Sequence, residues 1–432
     1  MNNIQDILNN ANKAFESWKS LTVRQRVQHL SNLKKNLLIN SDIIAQSISN
    51  EHGKLLAEAK AEVLKSIETL EFAESGVILL SGKTLEVSAG IRCEERREPL
   101  GIVVSICPFN FPMMVPFWTI PNALMCGNCI IVKPSEKVPN TMIHIDKLFK
   151  EAQFPLGVFS LVQGTAPEVN ELIKSPVVKA VTFVGSTPIA KIVGKIALDY
   201  GKKTLCLGGA KNHLIVLPDA DMDLTADDVV RSFCGCTGQR CMAASVLITV
   251  GSMPILLQKI MYNCEKFKMG KVIDDNANNR INNILNNVSN NNKTYNLLLD
   301  GRGNPLKPSI IIHNNYNDEI LDTEIFGPVL SVIEVENLKE AINIENTSKF
   351  GNAACIYTQS GANAEYCVKK FNSGMVGINV GVPVPREPFS FGGYNDSNPI
   401  GHHDITGKDG INFFTNKKKI TTRWGNDLTI FS

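Results

Sequence analysis

The chain has no run approaching the roughly 18 uncharged apolar residues that a membrane-spanning helix needs, which argues against a helical membrane protein. It also lacks an excess of one charge. The 44 Lys+Arg stand against 42 Asp+Glu, so no basic face argues for a nucleic-acid partner. The first twenty residues, MNNIQDILNNANKAFESWKS, lack the apolar segment of a secretory signal. They carry Asp6 and Glu16 and no arginine, unlike an Arg-rich transit peptide. The eleven cysteines show no disulfide-framework spacing for a chain this large, so a reducing compartment is expected.

What is present is globular. A length of 432 residues exceeds one ordinary core and predicts two or three domains. Residues 3 to 80 have helical periodicity, as in RQRVQHLSNLKKNLL, and residues 84 to 99 read as an exposed, charged hairpin. From residue 101, short apolar strands (GIVVSIC, NCIIVK, FSLVQG, KAVTFVG) alternate with helices, the signature of a parallel sheet covered on both faces. A second alternating block follows residue 211 and ends in MVGINV and a late strand, KKKITTR. The predicted class is therefore α/β. One patch, residues 276 to 296, is half asparagine and reads as a solvated, poorly ordered insertion or a weak helix.

The cysteines carry the first chemical question. Cys126 and Cys129 form a lone CxxC between an apolar helix and an apolar strand, where buried structural thiols are expected. Cys234, Cys236 and Cys241 supply three sulfurs, whereas a closed zinc site takes four ligands and no neighbouring His or Cys completes a zinc spacing; no metal is expected. In TGQRCMAAS, Cys241 lies between a helical pattern and a strand, open to a nucleophile reading. A thiolate attacking a carbonyl creates an oxyanion that needs preorganised donors. Asn110, in CPFNFPMM just beyond a strand, is either such a donor or a turn residue before Pro112.

Five segments in order, PFNFP, KPSE, FVGS, GQRC and EIFGPV, resemble the aldehyde dehydrogenase superfamily. REPLGIVVSICPFNFPMMVPFW, GAKNH, INVGVPVP and GKDGINFFTNKKKITTR are similar to its CoA-acylating branch, which acts on methylmalonate semialdehyde. The resemblance implies the aldehyde dehydrogenase fold and a set of roles. Cys241 is the nucleophile, and Asn110 with the Cys241 N–H forms the oxyanion hole. Lys133 and Glu136 hold the adenosine ribose of NAD, with Lys137 beside them and Cys107 and Phe109 flanking the dinucleotide. Gly185, Ser186 and Gly208 belong to the cofactor site, Ser186 where a hydroxyl meets the pyrophosphate at a helix N-terminus that favours anions. Glu324 meets the nicotinamide ribose and Phe326 the nicotinamide. Read without the resemblance, Lys133 and Glu136 are an exposed ion pair of little weight.

Hydrolytic members carry a glutamate base in an ELGGK-like motif. The matching stretch here is LGGAK, and its first residue, Leu207, cannot act as a base. A thioester on Cys241 then needs a better nucleophile than water, and a thiol is one, which agrees with CoA as co-substrate. Arg240 matches one of the branch's two carboxylate-binding arginines, or is a surface charge; the other position falls on Lys65, which keeps charge but loses bidentate geometry. Ala190 stands where a glycine is expected and is predicted to crowd the pyrophosphate helix. The chain starts at what resembles an internal helix, without the family's first strands. The expected function is oxidation of methylmalonate or malonate semialdehyde to propanoyl-CoA or acetyl-CoA with loss of carbon dioxide. The alternatives are a catalytically silent binding or partner subunit and a hydrolytic enzyme. The expected organisation is an NAD-binding domain over 1–208 with an oligomerisation hairpin near 84–99, a catalytic domain over 209–408 and a C-terminal oligomerisation strand in 409–432, building a homodimer or tetramer. The resemblance implies mitochondria; a complete chain without a transit peptide implies the cytoplasm.

Overall fold

Residues 4–74 fold as four helices, Ile4–Ser20, Val23–Ile39, Ser41–His52 and Leu56–Glu74. Their apolar faces (Leu8, Trp18, Leu30, Leu37, Ile48, Leu70) are buried at the three- and four-residue spacing of amphipathic helices. The structure, a computed structural model, describes residues 3–290, 295–316 and 318–424.

Strands number in chain order. The exposed hairpin is β1 (Lys83–Ser88) and β2 (Ile91–Pro99). Then follow β3 (Ile102–Ile106), β4 (Cys129–Lys133), β5 (Phe159–Leu161), β6 (Val178–Val184) and β7 (Lys203–Leu207). These five form one parallel sheet in the order β5-β4-β3-β6-β7. The second block contributes β8 (Asn212–Val216), β9 (Ala244–Val250), β10 (Tyr295–Leu299), β11 (Ser309–His313), β12 (Val329–Val335), β13 (Phe350–Gly351), β14 (Ala353–Tyr357) and β15 (Met375–Ile378). Its sheet runs β10-β11-β12-β9-β8-β14-β15, parallel except at β10–β11. Short β16 (Tyr394–Asn395) pairs with β13, and β17 (Thr415–Arg423) closes the described chain.

Both sheets are as apolar as doubly covered parallel strands require. Every residue of β3, β4, β8 and β14 is buried. In the first sheet the order reverses between β3 and β6, and a crevice opens beyond the carboxyl ends of those strands. Ligands of open α/β sheets bind at such a switch point. The second sheet presents its opposite end, the start of β8 and β9, to that crevice. Only Gly208–Lys211 joins β7 to β8.

The hairpin and the last strand pair with each other inside the chain: β17 runs antiparallel along β2 from Thr415↔Pro99 to Arg423↔Ile91. Residues 425–432 of the predicted oligomerisation segment lie outside the described residues. The asparagine-rich patch corrects one expectation. Of the two readings it is the helix that forms, and not a solvated one: Asp275–Asn290 is a helix whose Ile281, Leu285 and Val288 are fully buried on one face, packed with Leu306, Ile311, Ile325 and Val329. Spacings of four and three put the apolar minority on a single stripe, so composition misleads where periodicity does not. Residues 291–294 of the patch lie outside the described residues. Ala190 is fully buried within the first core.

Candidate active site

The helix Met222–Cys234 ends at Gly235, and the chain then turns through three consecutive left-handed residues, Cys236 (φ 50°), Thr237 (φ 56°) and Gly238 (φ 71°). Non-glycine residues hold such angles only where their surroundings impose them. Here the Cys236 N–H donates to Glu58 Oε1 at 2.6 Å. A Cβ on Gly238 would lie 2.2 Å from the Gly327 backbone, so this glycine lets the 235–243 loop press against the 324–329 loop. Cys241 follows. Its carbonyl accepts from Asn212 Nδ2 at 2.8 Å and Asn352 Nδ2 at 2.9 Å, which ties the loop to β8 and to the segment before β14.

Asn110 is buried and belongs to this same constellation. Its Nδ2 donates to the Gln239 carbonyl at 3.0 Å, two residues before the nucleophile candidate, which leaves a second amide hydrogen for an oxyanion. Its own carbonyl accepts from Lys54 Nζ at 2.7 Å. Lys54 in turn pairs with Glu62 at 2.7 Å, both side chains 0% exposed, and Glu62 Oε1 accepts from the Met113 and Met114 N–H groups. A buried ion pair thus fixes the PFNFP loop at its middle residue and just past its end. The turn reading and the donor reading of Asn110 are both compatible with this placement.

Two cavities meet at Cys241. One, about 360 Å³, is walled by Phe109, Asn110, Gly185, Ser186, Gly208, Glu324 and Phe326, seven of the residues predicted to serve the site. The other, about 600 Å³, is mainly apolar (Phe111, Met114, Trp118, Val382, Phe391) and carries Lys65, Arg240 and Arg386. Cys241 and Trp118 belong to both walls. Burial pushes the Cys241 thiol up to about 12, helped by the Glu324 carboxylate; its own N–H, Arg240 and the Met242 N–H act the other way. Alkylation of Cys241 by iodoacetamide in the ligand-free protein should therefore rise about tenfold per pH unit between about pH 7 and 10, followed by peptide mass mapping. A plateau near pH 8 would show that the thiol ionises more easily than its surroundings imply.

The smaller cavity has features that suit part of a dinucleotide. It lies at the switch point, where the helix Thr187–Asp199 aims its first N–H groups outward and the Ser186 side chain makes no cap hydrogen bond of its own. Gly208 and Gly209 allow close approach of neighbouring groups: a Cβ would clash with the Asp396 carbonyl and Thr187 Oγ1 at Gly208 and with the Glu324 carboxylate at Gly209. Glu324 Oε1 accepts from the Ala210 N–H at 2.8 Å, and burial raises its carboxyl above the usual range. Phe326, left-handed at φ 52°, meets Phe109 edge to face at 5.9 Å. Lys133, the last residue of β4, and Glu136 pair at 2.8 Å outside this wall, with Lys133 buried and Glu136 half exposed. Burial would raise the Glu136 carboxyl, but the hydrogen bond and charge of Lys133 leave it below the usual range. Lys137 pairs with Asp274 and lies 5.4 Å from the Phe109 ring centroid. Cys107 is not brought to the wall: its thiol is buried beside Ser105, and burial raises it to about 12.

Several functional contacts have no motif in the sequence. Lys54 and Glu62 lie in the helical N-terminal region, eight residues apart. Arg280, from the asparagine-rich helix, lines the smaller cavity and donates to the Ile325 carbonyl at 2.6 Å. Arg240 does reach the larger cavity, but its Nη2 donates to the carbonyls of Arg231 (2.6 Å) and Ser232 (2.8 Å) at the end of the preceding helix. Lys65 also reaches it, held by Glu68 at 3.0 Å and Glu387 at 3.1 Å. Cys126 and Cys129 are buried thiols, as expected. Among the described residues no helix is long and apolar enough to cross a membrane.

The Aldehyde dehydrogenase family profile matches residues 1–420. Malonate-semialdehyde dehydrogenase 2 of Bacillus cereus (strain ZK / E33L) is 39% identical over 441 residues, covering 98% of this chain and 90% of that protein. Malonate-semialdehyde dehydrogenase of Halalkalibacterium halodurans is 39% identical over 434 residues, covering 96% and 89%. Among solved structures, methylmalonate-semialdehyde dehydrogenase from Oceanimonas doudoroffii superposes with a TM-score of 0.96 at 34% identity, over 99% of this chain and 91% of that one. A Sinorhizobium meliloti 1021 protein, assigned as methylmalonate-semialdehyde dehydrogenase and solved with NAD, superposes with a TM-score of 0.93 at 35% identity, over 98% and 90%.

Proposed function

Because the chain belongs to the aldehyde dehydrogenase family, we propose that it oxidises malonate or methylmalonate semialdehyde with NAD and passes the acyl group to CoA. The cavity of about 360 Å³ would hold the nicotinamide half of the dinucleotide, with Ser186 and the helix behind it on the pyrophosphate and Glu324 on the nicotinamide ribose. Lys133, Glu136 and Lys137 would serve the adenosine end, with Phe109 beside the dinucleotide. When bound, NAD supplies the hydride acceptor.

The chain's own part follows from the loop geometry. Cys241 Sγ, once its proton has passed to solvent, adds as the thiolate to the aldehyde carbon, and the oxyanion of the resulting thiohemiacetal is met by Asn110 Nδ2–H and the Cys241 N–H. After oxidation the acyl group rests on sulfur as a thioester. The observation that carries the CoA reading is Leu207: it is apolar, buried and packed at the end of β7, in the position where hydrolytic members hold their base. Malonate semialdehyde would leave as acetyl-CoA and carbon dioxide, with NADH formed.

Three regions are proposed on the same footing: an NAD-binding part over 1–208, a catalytic part over 209–408 and the strand within 409–432. The sheet β1-β2-β17 is the proposed oligomer surface, since every residue of β1 is exposed, Leu85 and Val87 included. The reaction test is NADH formation from malonate semialdehyde with and without CoA. Repeated turnover should require CoA and yield acetyl-CoA. Repeated turnover without CoA, releasing only free acid, would overturn the reading.

A further inference from the structure

All three cations on the wall of the larger cavity already have partners. Arg240 donates from Nη2 to two carbonyls at a helix end and packs against Gly235, while its buried Nε has no partner. Arg386 reaches Glu68 at 3.4 Å. Lys65 is the most constrained, held between Glu68 and Glu387. The Glu387 side chain is only 10% exposed and that of Lys65 19%, so this pair is better shielded than a surface ion pair. The second oxygen of Glu387 accepts from Thr69 Oγ1 at 3.4 Å, which anchors the carboxylate to the same helix that carries Lys65.

A semialdehyde that brings its own carboxylate to Lys65 meets an ammonium already shared by two carboxylates. It must displace one of them or sit beside like charge, and either route weakens binding. An uncharged aldehyde of the same length makes no demand on Lys65; it can pack against the apolar part of the wall, Phe111, Met114, Trp118 and Phe391, and bears no such cost. We propose that Glu387 is a specificity-determining residue, an internal carboxylate that occupies Lys65 and narrows the advantage of carboxylated over uncharged short-chain aldehydes. This rests on the reading of the larger cavity as the aldehyde side of Cys241. It does not require malonate semialdehyde to be the physiological substrate.

The experiment compares wild type, Glu387→Gln and Glu387→Asp. Glutamine keeps the shape and removes the charge; aspartate keeps the charge. Kinetics with malonate semialdehyde and propanal give the ratio of their kcat/KM values, and propanoate, which carries the carboxylate but no aldehyde, gives a Ki against propanal. Glu387→Gln should raise the ratio about tenfold through the KM of the charged substrate and lower the propanoate Ki by a similar factor. Glu387→Asp should stay near wild type. An unchanged propanoate Ki in Glu387→Gln, or the same change in both variants, overturns the proposal. If malonate semialdehyde is oxidised by no variant while the propanoate Ki still falls in Glu387→Gln, the Glu387 assignment stands and the substrate assignment fails. If malonate semialdehyde is oxidised equally by wild type and Glu387→Gln and the Ki does not move, the reverse holds.

Discussion

Cys241→Ala is expected to lower NADH formation from any aldehyde by a factor on the order of 10⁴–10⁶, the usual cost of losing a covalent nucleophile. The aldehyde hydrogen leaves as hydride only once the carbon is tetrahedral and bears an oxyanion, and the sulfur makes it so. Cofactor affinity should survive, because the smaller cavity is built mainly from the carboxyl ends of β3 and β6, Gly208–Gly209 and the 324–326 loop. The Cys241 carbonyl, held by Asn212 and Asn352, keeps the loop in place without the thiol. Steady-state rates with propanal and an NAD titration by fluorescence settle it. Appreciable turnover in the variant would remove Cys241 from the mechanism.

Asn110→Ala is expected to slow acyl-enzyme formation by about 10²–10³, the range for losing one oxyanion donor. The same change leaves the buried Gln239 carbonyl without its partner, which should cost about 1–3 kcal/mol of stability. The two effects separate in a single-turnover burst followed at a temperature where both proteins are folded. A wild-type burst with lowered melting temperature would make Asn110 a purely structural residue. A slowed burst assigns it to the oxyanion.

Most of the fold was legible because the elements obey simple periodicities. The buried strands β3 and β4 are unbroken apolar runs, and the helix before Cys241 ends where the glycines begin. The site was legible where it consists of loop residues next to strand ends, such as Asn110, Ser186 and Glu324. It was illegible where a contact joins distant segments through a single atom. Nothing local in EHGKLLAEAKAEV says that Lys54 reaches the Asn110 carbonyl, since that depends on how a helical pair docks on a loop some fifty residues later. Arg280 was hidden by the asparagines around it, and the partners of Arg240 and Lys65 by the three-dimensional return of residues 231–232 and 387.

The Lys54–Glu62 pair carries a consequence for how this chain can drift. Losing either partner strands the other as a lone charge in a place without water, a penalty of about 3–5 kcal/mol, whereas exchanging both for apolar residues of similar volume can be close to neutral for the fold. The two codons are therefore locked together, and a lineage can leave this arrangement only by a double step or through a poorly folded intermediate. Such a double step would also untie the loop that bears Asn110. A sequence that had taken it could keep its shape while its chemistry decayed, which makes the joint state of these two positions a marker for separating working members of the lineage from silent ones.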